Sequence, residues 1–309
     1  MEWTFFILNM LTVTALSPLT LGIIRKVKAR AQNRSGASVL QPYRDLIKLF
    51  HKDEVISADA SWIFSAAPVI VFATTLAIAS GLPLFSPVPS FIPTGDLLVF
   101  VYLIATGAFF LALAGLDTGS GFGGIGSSRE MTIAALTEGG LILSLVAVAL
   151  LTGAANLGIM SAAVSGLSGM ALLPLSIAAA AFSIALLAEN ARYPVDNPAT
   201  HLELTMVHEA MILEYSGPKL ALMEWASASK LLIFVIILGN VFAPWGMTQS
   251  LTLPSLGLAF LFFALKALVI LAAIALIESG MAKFRFFRVP DLLFTSFVLS
   301  VIAILLIVV

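Results

Sequence analysis

Cysteine is missing altogether from this 309-residue chain. No disulfide can form, and no thiolate is on offer to a metal ion or an iron–sulfur cluster. Any redox centre of that kind working with this chain has to reside in another polypeptide. Charge is scarce too. Asp, Glu, Lys and Arg make up 11% of the residues, where a soluble domain carries about 25%, so a water-soluble globular protein is excluded. Histidine numbers three, and no Ser/His/Asp or Cys/His arrangement points to nucleophilic catalysis. Nucleic acid is not among the expected partners.

What fills the chain instead is apolar: 60% hydrophobic residues and a mean hydropathy of +1.06. A helix of about 20 mostly apolar residues crosses the hydrocarbon core of a bilayer. Eight such runs are marked by composition: 3–24, 62–84, 97–116, 131–152, 171–188, 227–246, 255–277 and 292–309. The expected fold is all-α, one polytopic transmembrane domain over 1–309 with the lipid bilayer as its surroundings. The first run has no basic stretch before it and no small-residue cleavage site after it, so it reads as a retained helix. Lys and Arg decide the orientation. Eight of the sixteen lie in loop 25–61, Arg129 lies in loop 117–130, Arg192, Lys219 and Lys230 lie in or beside 189–226, and Lys283, Arg285 and Arg288 lie in loop 278–291. The loops after the second, fourth and sixth runs hold none. The four basic loops are therefore expected on the cytoplasmic side of the inner membrane, with both termini on the other side.

One stretch stands apart. Residues 189–230 carry six acids, Glu189, Asp196, Glu203, Glu209, Glu214 and Glu224, and two histidines, His201 and His208. Charges kept beside membrane spans are costly and call for a reason. Pro194, Pro198 and Pro218 break helical runs there, and 199–216 between them has helical character. On such a helix Glu203 and Glu214 lie roughly 20° apart on one face. His201 and His208 are two turns apart, about 10 Å along the axis, too far for one metal ion. The two glutamates are too distant for a catalytic dyad but suit successive stations of a water-bridged proton path; a solvated face is the plainer alternative.

Other motifs carry charge to unusual places. In loop one, apolar Leu46, Ile47, Leu49 and Phe50 between charges suggest an amphipathic interfacial helix, either a simple basic anchor or a docking surface for a soluble partner. The third loop, LDTGSGFGGIGSSRE, holds a formal G-x-G-x-x-G at Gly119, Gly121 and Gly124. No strand precedes it and no P-loop lysine follows, so it is expected to be a packed glycine-rich loop rather than a nucleotide site. Glu138 falls about two turns into the fourth run, where a charge costs roughly 2.5–3.5 kcal/mol; it reads as either an interfacial acid or a buried, proton-accessible one. Lys266 sits too deep in the seventh run to snorkel. It is expected to face the bundle interior with an acidic partner, as a structural ion pair or a proton carrier.

Taken together, these motifs bring the chain close to a known family. It resembles the heel-piece membrane subunit shared by respiratory complex I, where it is NADH dehydrogenase subunit 1, and the group 4 membrane-bound nickel–iron (NiFe) hydrogenases. The likeness rests on four motifs: Leu40-Gln41-Pro42 through Lys48-Leu49; Gly115 to Arg129 with Glu138 nine residues on; Glu189, Arg192, Pro194, Asp196, Pro198 and Glu203; and Glu214-Tyr215-Ser216-Gly217. The departures are similar to the hydrogenase-4 and formate hydrogenlyase branch. The stretch before Leu40 is short, Arg44-Asp45 follows Tyr43, the third loop lacks the complex I lysine, and His201 stands where complex I has an acid. These features speak against a quinone chamber.

The resemblance implies a non-catalytic subunit that holds no cofactor itself. Its partners would be a hydrogenase-like large subunit, an iron–sulfur small subunit and antiporter-like membrane subunits, with the iron–sulfur clusters and any NiFe centre in those partners. Glu138, Glu189, Asp196, Glu203 and Glu214 would line the start of a proton path, which Glu209 and Lys266 are expected to join. Arg34, Gln41, Arg44, Asp45 and Lys48 of loop one, Asp117 and Arg129 of the third loop, and Arg192 are the expected docking residues. Two competing readings are a quinone-site subunit of a complex I-type enzyme and, from another class, a stand-alone secondary transporter. No inverted repeat relates the two halves in support of the last.

Overall fold

The computed structural model describes residues 2–57, 59–86, 93–197, 206–248 and 252–308. Among them the chain forms α1 (Glu2–Ala31), α2 (Gln41–Phe50), α3 (Trp62–Gly81), α4 (Leu97–Asp117), α5 (Gly121–Thr152), α6 (Leu157–Val164), α7 (Leu172–Glu189), α8 (His208–Ile212), α9 (Gly217–Asn240), α10 (Leu253–Gly280) and α11 (Val289–Val308). No strand forms among the described residues. Eight helices, α1, α3, α4, α5, α7, α9, α10 and α11, are long and apolar enough to span a membrane, as the hydropathy pattern predicts. Ser61, Asp96, Ser120 and Asn156 start α3 to α6 by accepting backbone N–H groups of the first turn, which relieves donors that a helix cannot satisfy internally.

The arrangement centres on α9. Its apolar window is 67% buried, against 28% for α10 and 22% for α11, so α9 is the inner pillar and the last two helices present broad faces outward. Helix α9 packs on α1, α3 and α10, while α11 lies across α5 and α7. The amphipathic helix expected in loop one is α2, which buries Pro42 and Leu46 and packs on α9 and α1.

Three boundaries differ from expectation by seven residues or more, the first being α1, which runs past the predicted 24 to Ala31 and carries Arg25, Lys26, Lys28 and Arg30. The glycine-rich stretch is helical from Gly121 onward, so α5 follows α4 after 118–120 alone. The glycines serve helix contact. A Cβ on Gly123 would collide with the Gly115 carbonyl, and one on Gly126 would lie 2.8 Å from the Ala210 Cβ, so only glycine allows α5 this close to α4 and α8. Helix α9 begins ten residues before the predicted 227, at Gly217. Pro218 does not break it but opens its first turn, where the missing N–H has no partner to lose.

Two prolines lie inside spans, Pro18 in α1 and Pro68 in α3. Each lacks the N–H that would bond the carbonyl four residues back, which strands Thr14 O and Phe64 O. In a membrane such an orphan costs several kcal/mol. Both are met by aromatic donors. Trp225 Nε1–H donates to Thr14 O at 2.9 Å, and the Tyr215 hydroxyl donates to Phe64 O at 2.8 Å. Tyr215 also stacks on Phe64 with centroids 3.9 Å apart. Burial, followed by the nearby Asp117, pushes the Tyr215 pKa up, so its hydroxyl stays a donor. Beside the first break, the Tyr43 hydroxyl donates to Ala15 O and fastens α2 to α1.

The Glu214-Tyr215-Ser216-Gly217 motif completes this clasp. Ser216 Oγ accepts from Val55 N at 2.9 Å and donates to Val55 O at 3.1 Å. Gly217, at φ +54°, lies where a Cβ would come within 2.9 Å of the Asp53 and Lys52 carbonyls. Loop one, α3 and α9 meet at these four residues.

Lys266 is satisfied differently from its expected role. Its ammonium donates to Gly239 O at 2.9 Å, Asn240 Oδ1 at 2.8 Å and Ala243 O at 2.9 Å, and no carboxylate pairs with it among the described residues. It caps the C-terminal end of α9, where Gly239 O has no intrahelical donor and the helix dipole is negative, and it also reaches the Ala243 carbonyl just beyond the helix. Asn240 Nδ2 in turn donates to Pro83 O and Leu84 O, both at 2.9 Å. Three donors already used on carbonyls leave no need for an acid.

Tyr215→Phe keeps the ring stack and removes only the hydroxyl. A buried carbonyl left without its donor costs about 1–3 kcal/mol, so the unfolding midpoint of the detergent-purified protein is expected to fall. An unchanged midpoint would show that Phe64 O does not depend on Tyr215.

Candidate functional site

Helix α7 ends in a tight reversal. Asn190 is its cap, Ala191 takes the left-handed conformation at φ +47°, Arg192 N–H bonds Leu187 O at 2.8 Å and Ala191 N–H bonds Ala188 O at 3.0 Å. This pair of bonds is a Schellman ending, made here with alanine where glycine is usual. It turns the chain inward, so Arg192 and Asp196 become buried, at 8% and 2% exposure.

Those side chains, with Glu189 at the end of α7, join a cluster to which α1, α9 and α10 also contribute charges. Glu278, at the end of α10, takes Lys28 of α1 at 3.2 Å and Arg192 at 3.3 Å. Glu189 takes Lys230 of α9 at 2.7 Å. Asp196 takes Lys283 at 2.7 Å and also accepts from Asn197 N and His208 N. Lys28 lies 4.7 Å above the Tyr193 ring. Buried ions are tolerated only when paired, and this end of the bundle is built around such pairs. Breaking one strands its partner, at a cost of about 3–5 kcal/mol.

Two cavities reach into the cluster. An inner one of about 60 Å³ is walled by apolar residues of α3, α4 and α9 and contains Glu130, Glu189 and Lys230. An outer chamber of about 440 Å³ is lined by the cations Arg25, Lys28 and Arg192 and by the acids Glu209, Glu224 and Glu278. The inner one has room for a few waters. His208 belongs to both linings. Burial, then Lys230, pulls its imidazole down to about 4, so it is neutral at pH 7. Burial, then Glu224 and Asp196, pushes the Glu209 carboxyl up to about 7, so it exchanges its proton near neutral pH. Among the described residues no group of three or more His, Asp or Glu is arranged to hold a metal ion.

The sequence-predicted residues divide sharply. Glu189, Asp196 and Glu209 are brought together in the cluster. Glu138 lies on α5, half-buried, with Glu189 and Lys230 as the charges that act on it. Glu203, like His201, lies outside the described residues. Glu214 is exposed, and the helix expected over 199–216 is, among the described residues, confined to α8. The common helical face drawn for Glu203 and Glu214 therefore does not hold for Glu214, which follows the end of that short helix. Lys266 is remote, since Asn240 lies about 15 Å along α9 from Lys230.

Of the docking set, Arg44 and Lys48 are exposed and line a shallow basic groove on α2 with His51 and Lys52. Arg34 is exposed at the chamber. Asp45 accepts from Gln41 at 2.8 Å and pairs with Arg25 at 3.8 Å. Arg192 is not a surface cation, because Glu278 holds it inside. Asp117 caps α3, accepting from Ser61 N at 2.7 Å and Phe64 N at 3.2 Å. Arg129 donates to Met206 O at 3.2 Å and lies over the Phe286 ring, which ties α5 to the acidic segment.

Glu130, Lys230 and Glu278, and with them Lys28, Lys283 and His208, belong to the cluster but are not among the site residues expected from sequence. Glu130 falls in a predicted loop and Glu278 at the edge of another. A helical reading of the glycine-rich stretch puts Glu130 two turns before Glu138 on α5, and that is the signal the sequence offers.

A pH effect on stability follows from Glu209. Its folded-state pKa is raised, so ionising it disfavours the fold. That penalty is absent below the ordinary carboxyl value near 4.5 and grows as pH rises to about 7. Glu209→Gln is therefore expected to raise the unfolding midpoint at pH 8 more than at pH 5. A gap that stays constant between these pH values would contradict the burial of its charge.

Comparison with known proteins agrees with this architecture. The chain is 35% identical over 288 residues to hydrogenase-4 component C of Escherichia coli K12, covering 93% of this chain and 90% of that one. It is 35% identical over 294 residues to formate hydrogenlyase subunit 4 of the same organism, covering 94% of each. It is 28% identical over 298 residues to a subunit of the NADH-quinone oxidoreductase of Rubrobacter xylanophilus, covering 93% and 87%. A chain in the solved structure of the membrane-bound sulfane sulfur reductase, an archaeal respiratory membrane complex, shares the fold at a TM-score of 0.86 and 23% identity over 99% of both chains. The profile of the NADH dehydrogenase family matches residues 3–309, and this multi-pass membrane protein belongs to that family.

Proposed function

We propose that this chain is the membrane-anchoring and proton-coupling subunit of a group 4 membrane-bound hydrogenase or formate hydrogenlyase-like complex. It links a peripheral arm, comprising a hydrogenase-like large subunit and an iron–sulfur small subunit, to antiporter-like membrane subunits. The observation that carries this reading is the buried set of acid–base pairs opening through a charged chamber beside an exposed basic helix. The names of the 35%-identical relatives support the hydrogenase assignment. The chain has no cysteine, so iron–sulfur clusters and a NiFe centre belong to the partners. The basic face of α2, with Arg44 and Lys48, is the docking surface, and the Asp45–Arg25 pair connects it to the chamber. In this reading the polar loops face the cytoplasm, both termini face the other side, and the host is the inner membrane.

Redox change in the docked arm alters the field at the chamber. A pair such as Glu189–Lys230 responds because its members are desolvated and poorly screened. The carboxyl then takes up or releases a proton that passes toward the antiporter-like subunits.

The likeness to the NADH-quinone oxidoreductase relative favours a second reading, a quinone-reducing complex. Labelling of the outer chamber by a quinone analogue would support it over the first.

Glu189→Gln removes the proton site while keeping the shape. Protons moved per electron pair in sealed vesicles bearing the intact complex are expected to fall at least about tenfold. A wild-type ratio would remove Glu189 from the path. Arg44→Ala is expected to lower recovery of the soluble subunits when the complex is pulled down through this chain. Full recovery would remove Arg44 from the docking surface.

A further inference from the structure

The two cavities share a wall. Asn190, His208, Ile212 and Ser227 line both. Three of these four are polar, and each has hydrogen-bonding capacity left over. Asn190 Nδ2 donates to Leu186 O at 2.8 Å, while its Oδ1 is buried without a donor among the described residues. Neither the His208 ring nor the Ser227 hydroxyl forms a hydrogen bond among the described residues. His208 is fixed through its backbone instead, its N–H bonding Asp196 Oδ2 at 3.4 Å. A partition meant only to separate the cavities would be apolar or internally satisfied, since buried polar groups normally have partners. This one directs spare donors and acceptors into spaces large enough for water.

We propose that His208 is the proton relay through this partition, carrying protons between the outer charged chamber and the inner carboxylates Glu130 and Glu189. The inference rests on the proton-coupling reading and names the residue that connects its two halves. A neutral imidazole has one N–H and one lone pair on opposite sides of the ring. A proton arriving from Glu209 or a chamber water adds to the free nitrogen. The proton on the other nitrogen leaves to a water beside Glu130 or Glu189. One proton enters and one departs, the ring ends neutral in its other tautomer, and a ring turn or reverse exchange restores it. A low basicity suits this role, because the ring releases the proton rather than trapping it.

The charges surrounding the ring are arranged to permit either direction. Glu130 comes from α5, Glu189, Arg192 and Asp196 from α7 and its reversal, Glu209 from α8 itself, and Glu224 and Lys230 from α9. Lys230 and Arg192 oppose a lasting imidazolium, while Asp196 favours it. The ring therefore lies between carboxyls on both sides and is held uncharged at rest.

The test uses the intact complex, purified through this chain, sealed into vesicles and driven by reduced methyl viologen. Protons moved per electron pair are the readout. His208→Gln retains polarity but has no relay chemistry, and it is expected to lower the ratio about tenfold or more. His208→Ala is expected to do the same and to recover when free imidazole is added, because the small molecule fits the vacated space and supplies the ring. His208→Leu, which leaves no space, is expected not to recover. A wild-type ratio for His208→Gln would overturn the proposal, and so would a deficit in His208→Ala that imidazole does not move, since that is the signature of packing alone. Glu189→Gln in the same vesicles separates the two levels. If it lowers the ratio while His208→Gln does not, the relay is wrong and the coupling reading stands. If neither variant changes the ratio, the coupling reading falls and the relay falls with it.

Discussion

A polar group inside a bilayer has no water to fall back on, and this requirement organises the molecule. Pro18 and Pro68 each remove a backbone donor, and Trp225 and Tyr215 replace it from the central region of the fold. Lys266 supplies three donors to the end of α9. Even the reversal after α7 closes its carbonyls with a left-handed alanine. The two aromatic repairs join elements distant in sequence and Lys266 joins consecutive helices, so satisfying the backbone also determines which helices touch. α9 collects most of the joints, which explains why it is the buried pillar.

The same requirement governs the charges. Glu278, Glu189 and Asp196 each have a basic partner from another helix or the neighbouring loop. Such pairs are weak evidence for stability, since well-packed apolar residues often do as well. What such pairs do provide is a set of charges that feel one another strongly, because screening between desolvated groups is low. Among the described residues, the groups left without a hydrogen-bond partner at the partition, the His208 ring, the Ser227 hydroxyl and Asn190 Oδ1, stand out against that background. Where nearly every buried polar atom has a partner, an unsatisfied one facing a cavity is open to water.

Legibility differs by residue. Eight spans, the amphipathic α2 and the gathering of acids in 189–230 can be read directly, because hydropathy and charge density are local properties. Lys266 is recognisable as buried but not by its kind of partner, since carbonyls freed at a helix end carry no mark in the side-chain sequence. Arg192 resembles a docking cation until the α7 reversal turns it inward. Glu130 is hidden by its glycines, which are more often found in loops. Here Gly123 and Gly126 thin α5 so that α4 and α8 can approach, and Gly115 does the same for α4.

The amino-acid order alone therefore determined that this chain crosses the membrane eight times and concentrates its ionisable groups at one end, because the apolar cost of insertion is summed residue by residue along the chain. Only the tertiary structure decided which charges become partners, that two cavities share a wall holding His208, and that a lysine in the seventh span caps a neighbouring helix. Those outcomes depend on distances between segments up to 250 residues apart, as Lys28 and Glu278 are, and on how closely glycine and proline let helices cross. No window of sequence contains them.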